Sequence, residues 1–356
     1  MRSGVAYLPL HTGKAPRWLF ENMVKLSRAI IIALTDEFRK YEFIRRLSSP
    51  YWFQALGNLL GFDWHSSGLT TTVCGAIKEA LKDIGKDIGI FMGGGKGKTA
   101  LKTPEDILKT EKYLKISPEK LIYASRMSAK VDNVALQDGY ELYHHTIIFT
   151  DDGKWTVIQQ GMNTQNLYAR RYRWLSDDLK SFVVEPHSAI ATQKFEKNVL
   201  NTVAKESKGA QEVIVELAKN PAKALKEFKK IEVLKLPPRH QMLIKDIDPK
   251  RLSKTLLKTY LRSPENYEEL LAIEGVGPKT IRALALTSEL IYGEPVSFRD
   301  PARFSFAHGG KDGHPYPVDR ETYEKTITIL ETAIKSAKIG NREKLEALKR
   351  LHKAFR

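Results

Sequence analysis

Residues 141–163 limit the fold more than any other stretch. They read "ELYHHTIIFT", then "DDG", then "KWTVIQQGMN". Two runs rich in β-branched and aromatic residues around a three-residue connection predict a pair of antiparallel strands, with Gly153 in the left-handed position of the hairpin loop. Elsewhere the period is helical. Leu19, Met23, Leu26 and Ile30 recur at spacings of four, three and four, which marks one face of an amphipathic helix. "SSPYWFQALGNLL" opens with a Ser–Pro helix start, and "DPKRLSKTLLKTYLRS" opens with Asp–Pro. A small antiparallel sheet among many helices makes the expected class α+β, mostly α. The expected division is an N-terminal α+β domain, 1–193, and a helical C-terminal domain, 194–356. The pair Pro237–Pro238 breaks the second of these internally.

At 356 residues, 42% of them apolar, the chain is long enough for more than one core. Its formal charge of +16 attracts polyanions and raises their encounter rate, so nucleic acid is the first partner to consider. Charged residues make up 28%, with many Lys/Glu pairs at helical spacing, which suits the ion-pair networks of a thermophile. A single cysteine, Cys74, excludes an internal disulfide and any four-thiolate metal or iron–sulfur site. It lies in the apolar helical stretch "TTTVCGAIKEAL", where buried packing is expected. The run "AIIIAL" is far short of a membrane span, and the first residues lack the apolar block of a signal peptide. The expected location is cytoplasmic.

The chemistry concentrates in "LLAIEGVGPKTIRAL". Glycines at 275 and 277 permit a tight turn between two short helices and let a nucleic-acid backbone approach closely. The second helix begins with N–H groups that lack intrahelical acceptors, and its dipole adds to their pull on a phosphate. Gly275, Val276, Gly277 and Thr280 are therefore candidate backbone contacts. Lys279 has two readings: a cation that neutralises a phosphate, or an amine that attacks a sugar aldehyde.

This stretch resembles the helix-hairpin-helix motif, over about 264–292. With the downstream "YGEPVSFRDPARFSF", the resemblance extends to the endonuclease III class of DNA glycosylase/AP lyases, over roughly 264–306. It implies Lys279 as the Schiff-base lysine and, through the Gly293-x-Pro295 turn, Asp300 as the catalytic aspartate. Three extra residues in the intervening helix rotate its end by about 300°, and Pro301 stands where the class has threonine. The whole chain is also similar to an archaeal and bacterial family of uncharacterised proteins, through "FDWHSSG", "GGKGKT", "SAKVDN", "DGYELYHH" and "HGGKDGHPYPVD". The resemblance to the lyases implies DNA repair on abasic or base-damaged double-stranded DNA: AP lyase chemistry by Schiff base and β-elimination, with or without glycosylase activity, needing no cofactor and no metal.

Other segments offer rivals. "GGGKGKT", 93–99, departs from a P-loop because Met92 stands where a glycine is required; Lys96 and Lys98 read instead as a basic loop on a nucleic-acid backbone or a plain surface loop. The polar segment 123–145 contains Arg126, Lys130, Asp132, Asp138, His144 and His145, either an internal network or a site. Arg126 is a candidate phosphate contact and Lys130 the rival nucleophile, with Lys96 after it. "NLYARRYRWL" interleaves Arg170, Arg171 and Arg173 with Tyr168, Tyr172 and Trp174, as a surface would that stacks bases, or as a snorkelling amphipathic segment. The loop with His308, Asp312, His314 and Asp319 reads first as a segment packed against the hairpin, with Asp319 capping the helix that follows; the same four side chains are the ligands a metal-dependent, structure-specific nuclease would use. A non-catalytic DNA- or RNA-binding protein is the remaining alternative.

Overall fold

The structure, a computed structural model, describes residues 15–62, 68–163, 168–192, 194–232, 247–305 and 320–354. The expected hairpin is present: Glu141–Thr150 (β3) pairs antiparallel with Trp155–Met162 (β4). Gly153 has φ +94° and its N–H donates to Thr150 O, a conformation that favours glycine. The sheet has six strands in the order β1-β3-β4-β5-β6-β8, with β1 Ile90–Lys96, β5 Ala169–Leu175, β6 Ala189–Thr192 and β8 Phe304–Ser305, while Leu136–Gln137 (β2) and Leu200–Asn201 (β7) form a separate pair. All pairings are antiparallel except β6 with β8. Strand β1 comes from the glycine-rich stretch read as a loop. Glycine is unfavourable in strands except where another backbone comes close, and a Cβ on Gly94 would lie 2.3 Å from His145 O.

Helices cover both faces of the sheet, so its strands are buried on both sides. Ile148, Ile158 and Leu175 belong to a core with Arg17–Leu47 (α1), Pro50–Leu59 (α2) and Leu69–Ile88 (α3), joined by Leu330, Ile334 and Leu351 from the last two helices. Ile147, Val157 and Trp174, one residue out of phase, belong to a second core with the helices Pro118–Lys130 and Lys208–Lys219 and those around residue 275. The alternation follows from the two-residue period of a strand. Several helices begin as the sequence predicts: Ser49 accepts from Trp52 N–H, and Asp248 accepts from Lys250 N–H, each followed by proline. The predicted face of α1 is buried at Met23, Leu26 and Ile30. Arg39, at φ 68° and ψ 159°, breaks that helix into two.

Both cores draw residues from each side of the expected division at residue 193. Leu330, Ile334 and Leu351 pack with Met23 and Ile77, while Ile214 and Ile281 pack with Leu121 and Ile147. Apolar faces on each side of 193 complete one another across the sheet. The break at 237–238 lies outside the described residues. No helix among the described residues is long and apolar enough to cross a membrane.

Candidate nucleic-acid interface

The turn in "EGVGPKT" joins Tyr267–Ala272 to Pro278–Tyr292. Asn266 caps the first helix by accepting from Glu269 N–H, and Pro278 occupies the first turn of the second, after Gly277 in an extended conformation. Gly275 has φ +94° and is exposed, and a Cβ there would meet only the Lys258 side chain, at 3.6 Å. Val276 points inward and is buried in the core. Its burial fixes the turn, while Gly275 and Lys279 stay at the surface. Thr280 is buried at the helix start, so any contact it makes with a phosphate goes through the backbone.

The turn is braced from beneath. Lys130 Nζ donates to Val276 O at 2.6 Å and to Ile273 O at 3.4 Å. Gln137 Nε2 donates to Pro278 O at 2.9 Å, and Arg282 Nε donates to Gln137 Oε1 at 2.9 Å. Burial lowers the Lys130 pKa from its ordinary value, and the charge of Glu274 opposes that shift. Lys130 is half-buried, whereas Arg126, one turn earlier, is exposed.

A second element beside the turn escaped the sequence reading. In Pro249–Arg262, Arg251, Lys254, Lys258 and Arg262 are exposed at spacings of three, four and four, so one helix face carries a cationic row. Lys258 places that row against Gly275, and Tyr260 beside it is 56% exposed. The spacing was legible in "KRLSKTLLKTYLRS"; its nearness to the hairpin was not.

Lys96 and Lys98 are exposed at the far edge of the sheet, Lys96 over the Tyr143 ring at 5.9 Å. Arg170 and Arg171 correct the expectation of a basic aromatic surface. Both are buried, as are Arg173, Tyr172 and Trp174, because β5 lies between two cores. A buried guanidinium cannot reach a DNA phosphate. Arg170 instead donates to Asp138 Oδ2 at 2.9 Å and, with two nitrogens, to Asp300 at 3.1 and 2.7 Å. Burial opposes its charge, but Asp138, Tyr172 and Asp300 outweigh that effect and hold Arg170 above the usual arginine value. Asp300 also accepts from Glu196 N–H at 2.8 Å and Ala302 N–H at 2.9 Å. Its bonds go to Arg170, Glu196 and Ala302 and none to Lys279. The predicted pair Lys279/Asp300 is therefore not assembled, and Asp300 is an internal anchor.

The polar segment 123–145 also turns inward. Trp174 Nε1–H and Gln159 Nε2–H donate to buried Asp132, and His187 Nε2–H donates to its other oxygen. Gln159 Oε1 accepts from His145 Nδ1 at 2.9 Å, which leaves Nε2 of the neutral ring to accept from Ser125 at 2.7 Å. Burial lowers the His145 pKa and keeps the ring neutral. His187 lines a cleft of about 170 Å³, partly open to solvent, with Ser297, Arg299, Asp300 and Arg303 on its wall.

Cys74 is buried as expected, its thiol pushed up to about 11 by burial. The segment with Asp63, His65 and Ser66 and the loop with His308, Asp312, His314 and Asp319 lie outside the described residues. Among the described residues no group of three His, Cys, Asp or Glu side chains could hold a metal ion.

No curated protein and no solved structure matches the chain. A family model, described as a protein of unknown function, matches residues 4–318. With nearly all of its length matched, the chain belongs to the DUF763 family.

Proposed function

We propose that this protein binds the backbone of duplex DNA through the hairpin and the cationic face of Pro249–Arg262, and acts on abasic sites as an AP lyase. The observation that carries the reading is the turn itself. Gly275 is exposed with positive φ, Lys279 stands exposed at the start of the following helix, and Lys258 lies beside the glycine. A phosphate at this position would meet helix N–H groups and several cations together.

In the reaction, a neutral lysine amine adds to C1′ of the ring-opened abasic sugar and water leaves, giving an imine. A base removes a C2′ proton, the C3′–O bond breaks, and the 3′-phosphate departs with the electron pair. Water then hydrolyses the imine and restores the amine. Lys279 has the access this requires. Lys130 has the lowered pKa, which reduces the cost of the neutral amine, and in this reading Glu274, whose charge acts on it, accepts the proton. Asp300 has no part in this scheme.

Borohydride added to the protein and an abasic-site duplex in EDTA traps the imine as a covalent adduct. Loss of the adduct in Lys279→Ala assigns that amine, and loss only in Lys130→Ala assigns the other. Absence of any adduct refutes the lyase. Cleavage abolished by EDTA favours a metal-dependent nuclease, and salt-sensitive binding without cleavage favours a binding protein.

A further inference from the structure

An aromatic groove opens beside the first helix of the hairpin. It is lined by Tyr123 of the helix Pro118–Lys130, Trp155 at the start of β4, and Ser176, Leu179 and Phe182 from the segment after β5. The space is about 470 Å³ and largely open to solvent, within the range of small-molecule sites. Phe182 lies nearly parallel to Trp155, with ring centroids 6.2 Å apart, and the Tyr123 ring meets Phe182 edge-on at 5.7 Å. Mutual packing of this kind orients the rings before anything binds. Tyr123 is 42% exposed and Trp155 is 7% exposed, so Tyr123 forms the wall that faces water.

Position and charge indicate what can lie there. Tyr123 Oη donates to Glu268 Oε1 at 2.6 Å, and Glu268 belongs to Tyr267–Ala272, the first helix of the hairpin. The helix that carries Tyr123 ends at Lys130, whose Nζ reaches Val276 O in the turn. From Tyr123 to Lys130 the helix rises about 10 Å, or about three nucleotide steps of a duplex strand. Lys120, Tyr123 and Arg126 are all exposed and recur at three-residue spacing, so cations flank the ring along the helix. Lys180, two residues before Phe182, is exposed as well. The nearby carboxylates have other contacts: Glu119 is bonded to Ser117, Glu268 to Tyr123 and Asp177 to Lys154, and the charge of Asp178 acts on Arg45. A strand of nucleic acid matches this arrangement, with phosphates beside Lys120 and Arg126 and a flat base on the rings. Bases inside an intact duplex are stacked on one another, so only an unpaired base can enter.

We propose that the groove stacks a base of an unpaired strand continuing from the duplex held at the hairpin, so that the substrate class is a duplex with a single-stranded extension. The proposal rests on the hairpin reading for the duplex and not on lyase chemistry. Tyr123 and Phe182 supply the stacking surface, and Lys120 and Arg126 neutralise the phosphates on either side. Every base has a π-face, so the groove accepts all of them with little sequence preference.

The test uses the full chain and fluorescence anisotropy with labelled DNAs free of abasic sites: a blunt duplex, the same duplex with a short thymidine extension, and the duplex with an equal number of propanediol phosphates in place of those nucleotides. The two extensions carry equal charge, so the difference between them reports the bases. The thymidine extension is expected to bind about fivefold or more tightly than the propanediol one. Tyr123→Ala should abolish that ratio, and Tyr123→Phe, which also loses the bond to Glu268 but keeps the ring, should retain it. Phe182→Leu gives the same comparison if Tyr123→Ala does not fold by circular dichroism. 5-Iodouracil in the extension, irradiated in the complex, should crosslink to the peptide containing Tyr123 or Phe182. Equal binding of the two extensions overturns the groove proposal and leaves blunt-duplex binding at the hairpin standing; no binding of any of these DNAs refutes the hairpin reading and the groove with it. Equal losses in Tyr123→Phe and Tyr123→Ala overturn it too, because the bond to Glu268 then sets the preference. A dimer in sedimentation that Tyr123→Ala abolishes assigns the groove to a second copy of the chain and likewise overturns the proposal.

Discussion

Replacing Asp300 by alanine separates the anchoring role of this residue from the catalytic role that its sequence context suggests. In the folded chain Asp300 gives both oxygens to Arg170, a side chain with no exposure, and it is itself 6% exposed at the side chain. The substitution leaves Asp138 as the carboxylate partner of Arg170 and also removes the Asp300 acceptor of the Glu196 and Ala302 N–H groups. Removing one partner of a buried ion pair costs about 3–5 kcal/mol. An unfolding entropy near 2.1 cal/mol/K per residue over 356 residues gives about 0.75 kcal/mol/K, so the melting temperature should fall by roughly 4–7 °C. Differential scanning calorimetry and urea unfolding measure both quantities. Borohydride trapping, run well below the lowered melting temperature, should retain an adduct. A variant with unchanged stability and no adduct refutes this reasoning and returns Asp300 to the reaction.

Four further outcomes follow from the same geometry. Lys130→Met removes the bonds to Ile273 O and Val276 O; it should cost about 1–3 kcal/mol in urea unfolding and weaken duplex binding in a fluorescence titration, although Lys130 is half-buried. Gly275→Ala has room for its methyl group but not a favourable φ, so a loss of about 1–2 kcal/mol and weaker binding are expected. Lys254→Gln with Lys258→Gln should make the plot of log K against log salt shallower by about 1.8 if both cations meet phosphates. Burial and nearby positive charge hold the His144 pKa down at about 3 against 6.5 unfolded. The stability this contributes is present above pH 6.5 and is lost as pH falls towards 3, at up to about 1.4 kcal/mol per pH unit, and His144→Gln should flatten that acid limb in pH-dependent unfolding.

How much of this was legible in the sequence depends on whether a feature is local. The β3–β4 hairpin, the proline-started helices and the turn around Gly275 are set by a few adjacent residues whose conformational preferences agree, and each occurs where its pattern lies. The fate of a charged side chain is not local. "ARRYRW" alternates as a half-exposed strand would, and only a second layer of helices makes Arg170, Arg171 and Arg173 interior. That layer uses Leu330 and Leu351 on one face and Ile281 on the other, residues more than a hundred positions away. The same distance explains Asp300. Its motif context is a local match, but its bond to Arg170 spans 130 residues, and such a pairing depends on which strand lies opposite. Hairpin and anchor are thus decoupled: the turn keeps Gly275 and Lys279 at the surface, while the aspartate that the motif would supply is bonded to Arg170 of β5. Under the proposed lyase reading the base is sought at the turn itself, where the charge of Glu274 already acts on Lys130.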